Sequence, residues 1–225
     1  MGTTSRAYVL GLLTLVYTFN HIDRQILVIL LEPIKADLNL NDTQLGLLSG
    51  LAFAAFYATL GIPIAMWADR GDRRKIITLA LAVWSGMTAF SGLAQNYWHL
   101  LIARMGVGVG EAGGTPPATS IISDLYGPKE RATALGIYTT GIGIGILAGF
   151  IIGGIVYEAW GWRAAFFIAG VPGLLLALLV RFTLKEPVRG AVEARADVGI
   201  APTLKETLAF IGGQTSFLFL LAGCC

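Results

Sequence analysis

Between Leu45 and Leu93 the chain reads LGLLSGLAFAAFYATLGIPIAMWADRGDRRKIITLALAVWSGMTAFSGL. Two apolar runs, Leu45 to Trp67 and Ile76 to Leu93, flank a turn that carries Asp69, Arg70, Asp72, Arg73, Arg74 and Lys75. A bilayer-spanning helix needs about 20 consecutive apolar residues, whereas a barrel strand alternates with a period of two. Neither run alternates, so both are expected to be membrane helices with the charged turn in water. Reading outward in both directions adds Ala7 to Leu31, Leu100 to Leu125, Ala132 to Tyr157 and Ala164 to Leu184, which makes six spans. The first is too long for a signal peptide, lacks a small-x-small cleavage site and is expected to be retained.

Composition agrees. The 225 residues are 55% hydrophobic and 13% charged, with a mean hydropathy of +0.70. That excludes a soluble domain and a disordered chain. Two cysteines exclude a disulfide scaffold, and a net charge of +2 without a basic run excludes nucleic acid as a partner. The lipid bilayer is the partner that such a chain requires.

Orientation follows from the basic residues. Of the sixteen Lys and Arg, Arg6, Arg70, Arg73, Arg74, Lys75, Lys129, Arg131, Arg181, Lys185, Arg189, Arg195 and Lys205 fall on one side of the six-span arrangement. Only Lys35 and Arg163 fall on the other, while Arg24 and Arg104 lie inside spans. The amino terminus is therefore expected in the cytoplasm of a multi-pass protein of the cell membrane. Residues 1–184 read as a six-helix transmembrane bundle. Residues 185–212 read as a cytoplasmic linker with a short amphipathic helix from Pro202 to Gly212, and 213–225 as the start of a seventh span cut short.

Charges at bilayer depth cost at least about 2.5 kcal/mol each on insertion scales, so each needs a partner, a wet cavity or a reason. The first span carries Asn20, His21, Asp23 and Arg24, which fall within an arc of about 160° at 100° per residue. Such an arc belongs against protein or water. One reading is a structural Asp–Arg arrangement that locks the first helix to its neighbours; the other is a titratable site on the wall of a central cavity. The fourth span carries Arg104 and Glu111, on nearly one face but about 10 Å apart along the axis, too far to touch. Glu111 therefore needs either a basic partner from another helix, Arg24 among them, or a proton of its own. A carboxyl of that kind can load and release a proton if its access alternates between the two sides.

Gly141, Gly145, Gly149 and Gly153 recur every four residues in the fifth span and mark a face for close helix approach, either as plain packing or as a sliding surface between moving bundles. Pro63, Pro116, Pro117 and Pro172 are expected to mark bends. Gly108-Val-Gly110-Glu-Ala-Gly113 fits a dinucleotide pattern, but no strand precedes it and it lies within a span. No Walker A sequence is present, and His21 and His99 lack metal-ligand companions, so no metal, cofactor or enzyme chemistry is expected. Asn41-Asp42-Thr43 is a glycosylation sequon read as a chance match.

The turn Ala65-Met-Trp-Ala-Asp69-Arg70-Gly71-Asp72-Arg73-Arg74-Lys75 resembles the signature loop of the major facilitator superfamily, with Ala65 where the family usually opens on glycine and Gly71 one place early. Arg104 with Gly108 and Gly110 resembles the family's fourth-helix motif, and Trp162-Arg163 with Phe166 resembles its junction between helices five and six. Within the superfamily, Asn20-His-Ile-Asp23-Arg24 looks like the Asp-Arg signature of spinster-type transporters, and Glu111 matches the acidic position that accompanies it.

The resemblance implies an all-α membrane protein, a six-helix bundle of 3+3 inverted repeats forming the amino-terminal half of a twelve-helix fold, with a carboxy-terminal bundle as its missing partner. It implies proton-coupled, alternating-access transport of an amphiphilic or organic-anion solute, lysolipid-like in related exporters, with the proton gradient as energy source. Asp23 and Glu111 would carry the proton, and Asn20, His21, Arg24 and Arg104 would line the cavity. Arg24 would contact an anionic group of the solute or hold Asp23. Asp69, Arg70, Arg73 and Arg74 would form the cytoplasmic gate. The antiporter motif of the fifth helix is half present, with its glycines and without its proline. A rival reading is a non-transporting, half-size membrane scaffold or receptor that dimerises through the glycine stripe.

Overall fold

The computed structural model describes residues 5–190, 192, 210, 213 and 214. The chain divides into two units, Met1–Glu193 and Ala194–Cys225. In the second, the Gly213 N–H donates to the Phe210 carbonyl at 3.1 Å. Apart from these residues, the expected amphipathic helix and seventh span lie outside the described residues.

All regular structure among the described residues of the first unit is helical. Helix α1, Arg6–Leu38, ends where Asn39 turns left-handed (φ 52°) and returns its N–H to the Lys35 carbonyl. Helix α2 runs Asp42–Arg70 and opens on a capping box in which Asn41 and Gln44 bond each other's backbone N–H. The sequon asparagine is thus a helix cap. A π-helical turn, Leu47–Leu51, interrupts the early part of α2. Helix α3, Arg73–Ser91, is capped by Asp72, which accepts from the Lys75 N–H at 3.0 Å. Helix α4, Tyr97–Glu111, is capped by Asn96, which accepts from the His99 N–H at 3.0 Å.

The expected single helix from Leu100 to Leu125 is two helices, α4 and α5, the latter spanning Thr115–Leu125. The reason is local. Pro116 and Pro117 carry no N–H, so the carbonyls of Ala112 and Gly113 lose their helical donors. The chain instead tightens, Gly113 bonding Gly110 and Gly114 bonding Glu111. The prolines then occupy the opening turn of α5, where a missing N–H costs nothing. Helical hydrogen bonding runs on through Pro128–Thr183, and its backbone break falls at Gly161 (φ 81°, ψ 172°), not at Pro172. We number the two pieces α6 (128–160) and α7 (162–183). By length and composition, α2 and the Pro128–Thr183 run are apolar enough to cross a membrane. Helix α1 is long enough, but its polar arc lowers its hydropathy, and the break divides α4 from α5.

Two apolar cores form along the bundle. One gathers Leu13, Val16, Leu81, Trp84, Ile121 and Val180 near the Asp69–Lys75 turn, hereafter the basic end. The other gathers Ile26, Leu30, Leu48, Leu100 and Phe166 toward the opposite end. The polar residues of α1 lie between them.

The glycine stripe faces α1. A Cβ on Gly141 would lie 2.9 Å from the Thr14 carbonyl oxygen, and one on Gly145 would lie 2.5 Å from that of Thr18. At Gly149 and Gly153 the nearest atoms are side-chain carbons, Gln25 Cβ at 2.8 Å and Ile29 Cδ1 at 3.0 Å. The stripe is used for packing inside the bundle, against α1. The glycines of the false dinucleotide pattern also serve packing: a Cβ on Gly110 would come 2.6 Å from the Trp84 nitrogen of α3, and one on Gly108 would come 2.9 Å from the Phe53 carbonyl oxygen of α2. At the end away from the basic turn, Arg163 reaches Asp37 at 2.8 Å and the Ala94 carbonyl at 3.2 Å. The Trp162 indole N–H also donates to Asp37, at 3.3 Å. These contacts join the start of α7 to the ends of α1 and α3.

Candidate functional site: an ionic layer between two apolar cores

Four charged side chains from α1 and α4 meet between the cores. Asp23 and Glu111 are each 1% exposed and Arg104 is 3% exposed. Arg24 Nε donates to Glu111 Oε2 at 2.5 Å, with the Glu111 side chain fully buried and that of Arg24 34% exposed. The Thr88 hydroxyl of α3 donates to Asp23 Oδ2 at 3.2 Å. Asn20 adjoins Glu111, and Tyr57 of α2 adjoins Arg24. The charges are close enough to act on one another: Asp23 on Glu111 and Arg104, and both arginines on Glu111.

The expectation that Arg24 would hold Asp23 is corrected. Consecutive helical residues point about 100° apart and cannot face one another. Arg24 crosses to α4 and Asp23 turns to α3. Glu111 thereby gains a basic partner from another helix, one of the two alternatives left open above. His21 stands at the edge of the group, near Arg24 but bonded elsewhere: its Nδ1 lies 3.0 Å from the Tyr17 carbonyl oxygen, its ring meets Tyr17 edge-on at 4.6 Å, and its Cβ packs at Gly145 of α6. Arg104 sits over the Phe53 ring at 5.7 Å, and its Nε and Nη1 have no hydrogen-bond partner among the described residues. The layer holds two carboxyl groups and two guanidiniums, and three of its four members are almost wholly desolvated. Removing one member of a buried pair leaves an uncompensated charge worth about 3–5 kcal/mol. Arg24 is the member that solvent, or an anion, can reach. Among the described residues no three His, Cys, Asp or Glu side chains converge as metal ligands.

A second cluster closes the basic end. Arg73 is 1% exposed; it pairs with Asp124 of α5, bonds Ser120 at 2.9 Å, and meets Glu186 at 2.6 Å and the Pro187 carbonyl at 3.1 Å beyond α7. Glu186 also accepts the Arg74 N–H at 3.0 Å. Arg189 donates to the carbonyls of Ala68, Asp69 and Gly71, while the Asp69 and Arg70 side chains are exposed. Arg74 lies 3.6 Å from Asp72. Of the four residues expected to form a gate, Asp69, Arg73 and Arg74 are therefore tied to the segment after α7, Asp69 and Arg74 through their backbones.

Residues 13–225 match the model of the Major Facilitator Superfamily. The chain belongs to the major facilitator superfamily. An MFS-type efflux pump of Mycolicibacterium smegmatis is 36% identical over 219 residues, covering 95% of this chain and 49% of that protein. Protein spinster homolog 1 of Xenopus laevis is 33% identical over 181 residues, covering 79% of this chain and 34% of that protein. Among solved structures, a bacterial homologue of the human lysosomal transporter Spinster, inward-facing and unoccupied, superposes with a TM-score of 0.82 at 41% identity, over 96% of this chain and 51% of that one. The chain is thus a spinster-like member of the superfamily, a membrane protein that spans about half or less of the length of these relatives.

Sequence reading of this major facilitator chain missed Thr88, Phe53, Tyr57, Asp124, Glu186 and Arg189. Thr88, Phe53 and Tyr57 carry no signal in an apolar span, since threonines and aromatics are ordinary there. Asp124 had one: it is an acidic residue at the end of a span, facing a loop rich in arginine.

Proposed function

We propose that this chain is the amino-terminal bundle of a secondary active transporter that moves an amphiphilic or organic-anion solute, lysolipid-like in chemistry, by alternating access coupled to the proton gradient. The observation that carries the proposal is the Arg24–Glu111 pair, with Glu111 wholly buried and Arg24 partly open. A proton on Glu111 neutralises the carboxylate that holds Arg24, and the guanidinium becomes available to an anionic headgroup. Proton and solute are then linked through one side chain, which is a coupling free energy between two ligands. Asp23 supplies a second buried carboxylate acting on the first, while Asn20 and Arg104 complete the wall. The protein crosses the membrane several times with its amino terminus and basic end in the cytoplasm. A second six-helix bundle faces this one and encloses the solute, as expected where a binding site lies at the interface of two repeats. No bound cofactor takes part. The relatives, an efflux pump and spinster homologues, favour transport over a scaffold, and the glycine stripe packs against α1.

The test is uptake of a lysophospholipid, and of a simple organic anion, by the full-length protein in proteoliposomes under an imposed pH gradient. Glu111→Gln and Asp23→Asn are expected to abolish the dependence on pH while the protein stays folded. Normal rates with normal pH dependence in both variants would remove the carboxylates from the mechanism.

A further inference from the structure

Phe53 of α2 has no role in the scheme above, yet it meets both cations of the site. Its ring centroid lies 4.9 Å from the guanidinium carbon of Arg24 and 5.7 Å from that of Arg104. Tyr57, one helical turn on, stacks on Phe53 at 5.6 Å and adds a second ring 5.2 Å from Arg24. Guanidinium groups are attracted to aromatic faces within about 6 Å, more strongly where water is excluded.

The backbone of Phe53 is seated just as closely, because Gly108 leaves room for its carbonyl. Elsewhere α2 is loosely held. Leu45, Leu48 and Ala68 are its buried residues. The π turn at Leu47–Leu51 ends two residues before Phe53. Such turns are local winding defects that recur at functional sites. Helix α2 therefore combines a direct contact with the ionic layer, little burial and an adjacent place to rewind.

We infer that Phe53 is the positioning residue through which the ionic state of the Arg24–Glu111 site acts on α2. The inference rests on the transport reading above. With Glu111 ionised, Arg24 is held by the carboxylate and by the two rings together. With Glu111 protonated, the rings are the seat that remains, and the pull between Arg24 and α2 changes. The groups facing this switch are Asp23, Tyr17 and His21 on α1, Tyr57 on α2 and Arg104 on α4, with Tyr138 of α6 stacked on Tyr17 at 4.4 Å. Phe53 is the side chain that contacts both arginines without itself titrating.

The experiment uses the full-length protein with two readouts. One is the pH profile of transport. The other, independent of transport, is the distance between spin labels at the exposed positions Thr59 on α2 and Thr139 on α6, measured in acid and at neutral pH. Phe53→Leu keeps the bulk and loses the aromatic face. It is expected to move the pH of half-maximal transport by about half a unit or more and to at least halve the pH-driven change in label distance, with Phe53→Tyr restoring both. Should Phe53→Leu fail to fold, Phe53→Met carries the same expectation. A Phe53→Leu protein with the wild-type profile and distances, alongside a Glu111→Gln protein that has lost both responses, overturns the inference and leaves the transport reading standing. A Glu111→Gln protein that keeps both responses overturns the two together.

Discussion

Arg73, at 1% exposure, is divided among Asp124, Ser120, Glu186 and the Pro187 carbonyl, so each of its three guanidinium nitrogens is bonded where water cannot substitute. Arg24, with a third of its side chain exposed, answers to one carboxylate and two rings. The first arrangement is a fixed joint and the second can be exchanged. Arg73→Met therefore removes a charge that two acids depend on. It is expected to destabilise the bundle by about 3 kcal/mol, the low end for a broken buried pair because Glu186 is partly hydrated. Thermal unfolding in detergent, compared with the wild type, checks this. An unchanged melting temperature would mean that Asp124 and Glu186 do without it. The sequence placed Arg24 among the charges at bilayer depth that need a partner, but it placed Arg73 in a charged turn in water, where the structure buries it. It could not show that Arg73 turns inward while Arg70, three residues earlier, stays exposed, because that is decided by which helix ends stand nearby.

At the scale of the helices, glycine positions separate contact from open space. A Cβ at Gly145 would sit 2.5 Å from the Thr18 carbonyl oxygen, while one at Gly143 would meet nothing within 4 Å. Gly145→Ala is expected to force α1 and α6 apart at a cost of about 1–3 kcal/mol. Gly143→Ala is expected to be neutral or to stabilise by up to about 1 kcal/mol through helix propensity. The pair of melting curves decides the point, and equal losses would refute the assignment of the stripe to α1. At the start of α3, burial tends to raise the Asp72 carboxyl, but the Lys75 N–H and the Arg74 and Lys75 charges outweigh it and hold the group below the usual carboxylate range. A depressed folded value means that its contribution is fully present above the unfolded value and is lost as pH falls through the folded one. Asp72→Ala is thus expected to cost about 1 kcal/mol near neutrality, with the difference from wild type closing in strong acid. A gap that persists unchanged in acid would show that the charge of Asp72 is irrelevant to the loss.

For the whole molecule, the bundle has one charged layer between two cores, and its partly open arginine lies at the rim of that layer. On the proposed transport reading, a single bundle supplies one wall of an enclosed path. The 225-residue chain alone in proteoliposomes is accordingly expected to give no saturable, pH-dependent uptake, where the full-length protein does. Such uptake by the monomeric chain would contradict the two-bundle reading. The helical architecture was legible at this scale because each apolar run is long, continuous and bounded by charge. The interruption at residues 112–114 was less so: its prolines were visible, but the same residues also permit a bend in an unbroken helix.

What the sequence determined by itself follows from short-range chemistry. Apolar runs force helices whose backbone bonds close internally, and Asn41, Asp72 and Asn96 fix helix starts. The tertiary structure decided the pairings: Arg24 with Glu111, 87 residues away, and not with adjacent Asp23; the glycine stripe with α1; Arg73 with Glu186. Which faces meet depends on how each helix is rotated and how closely its neighbour can approach. Those quantities are set by packing among distant segments, and no local pattern in the chain encodes them.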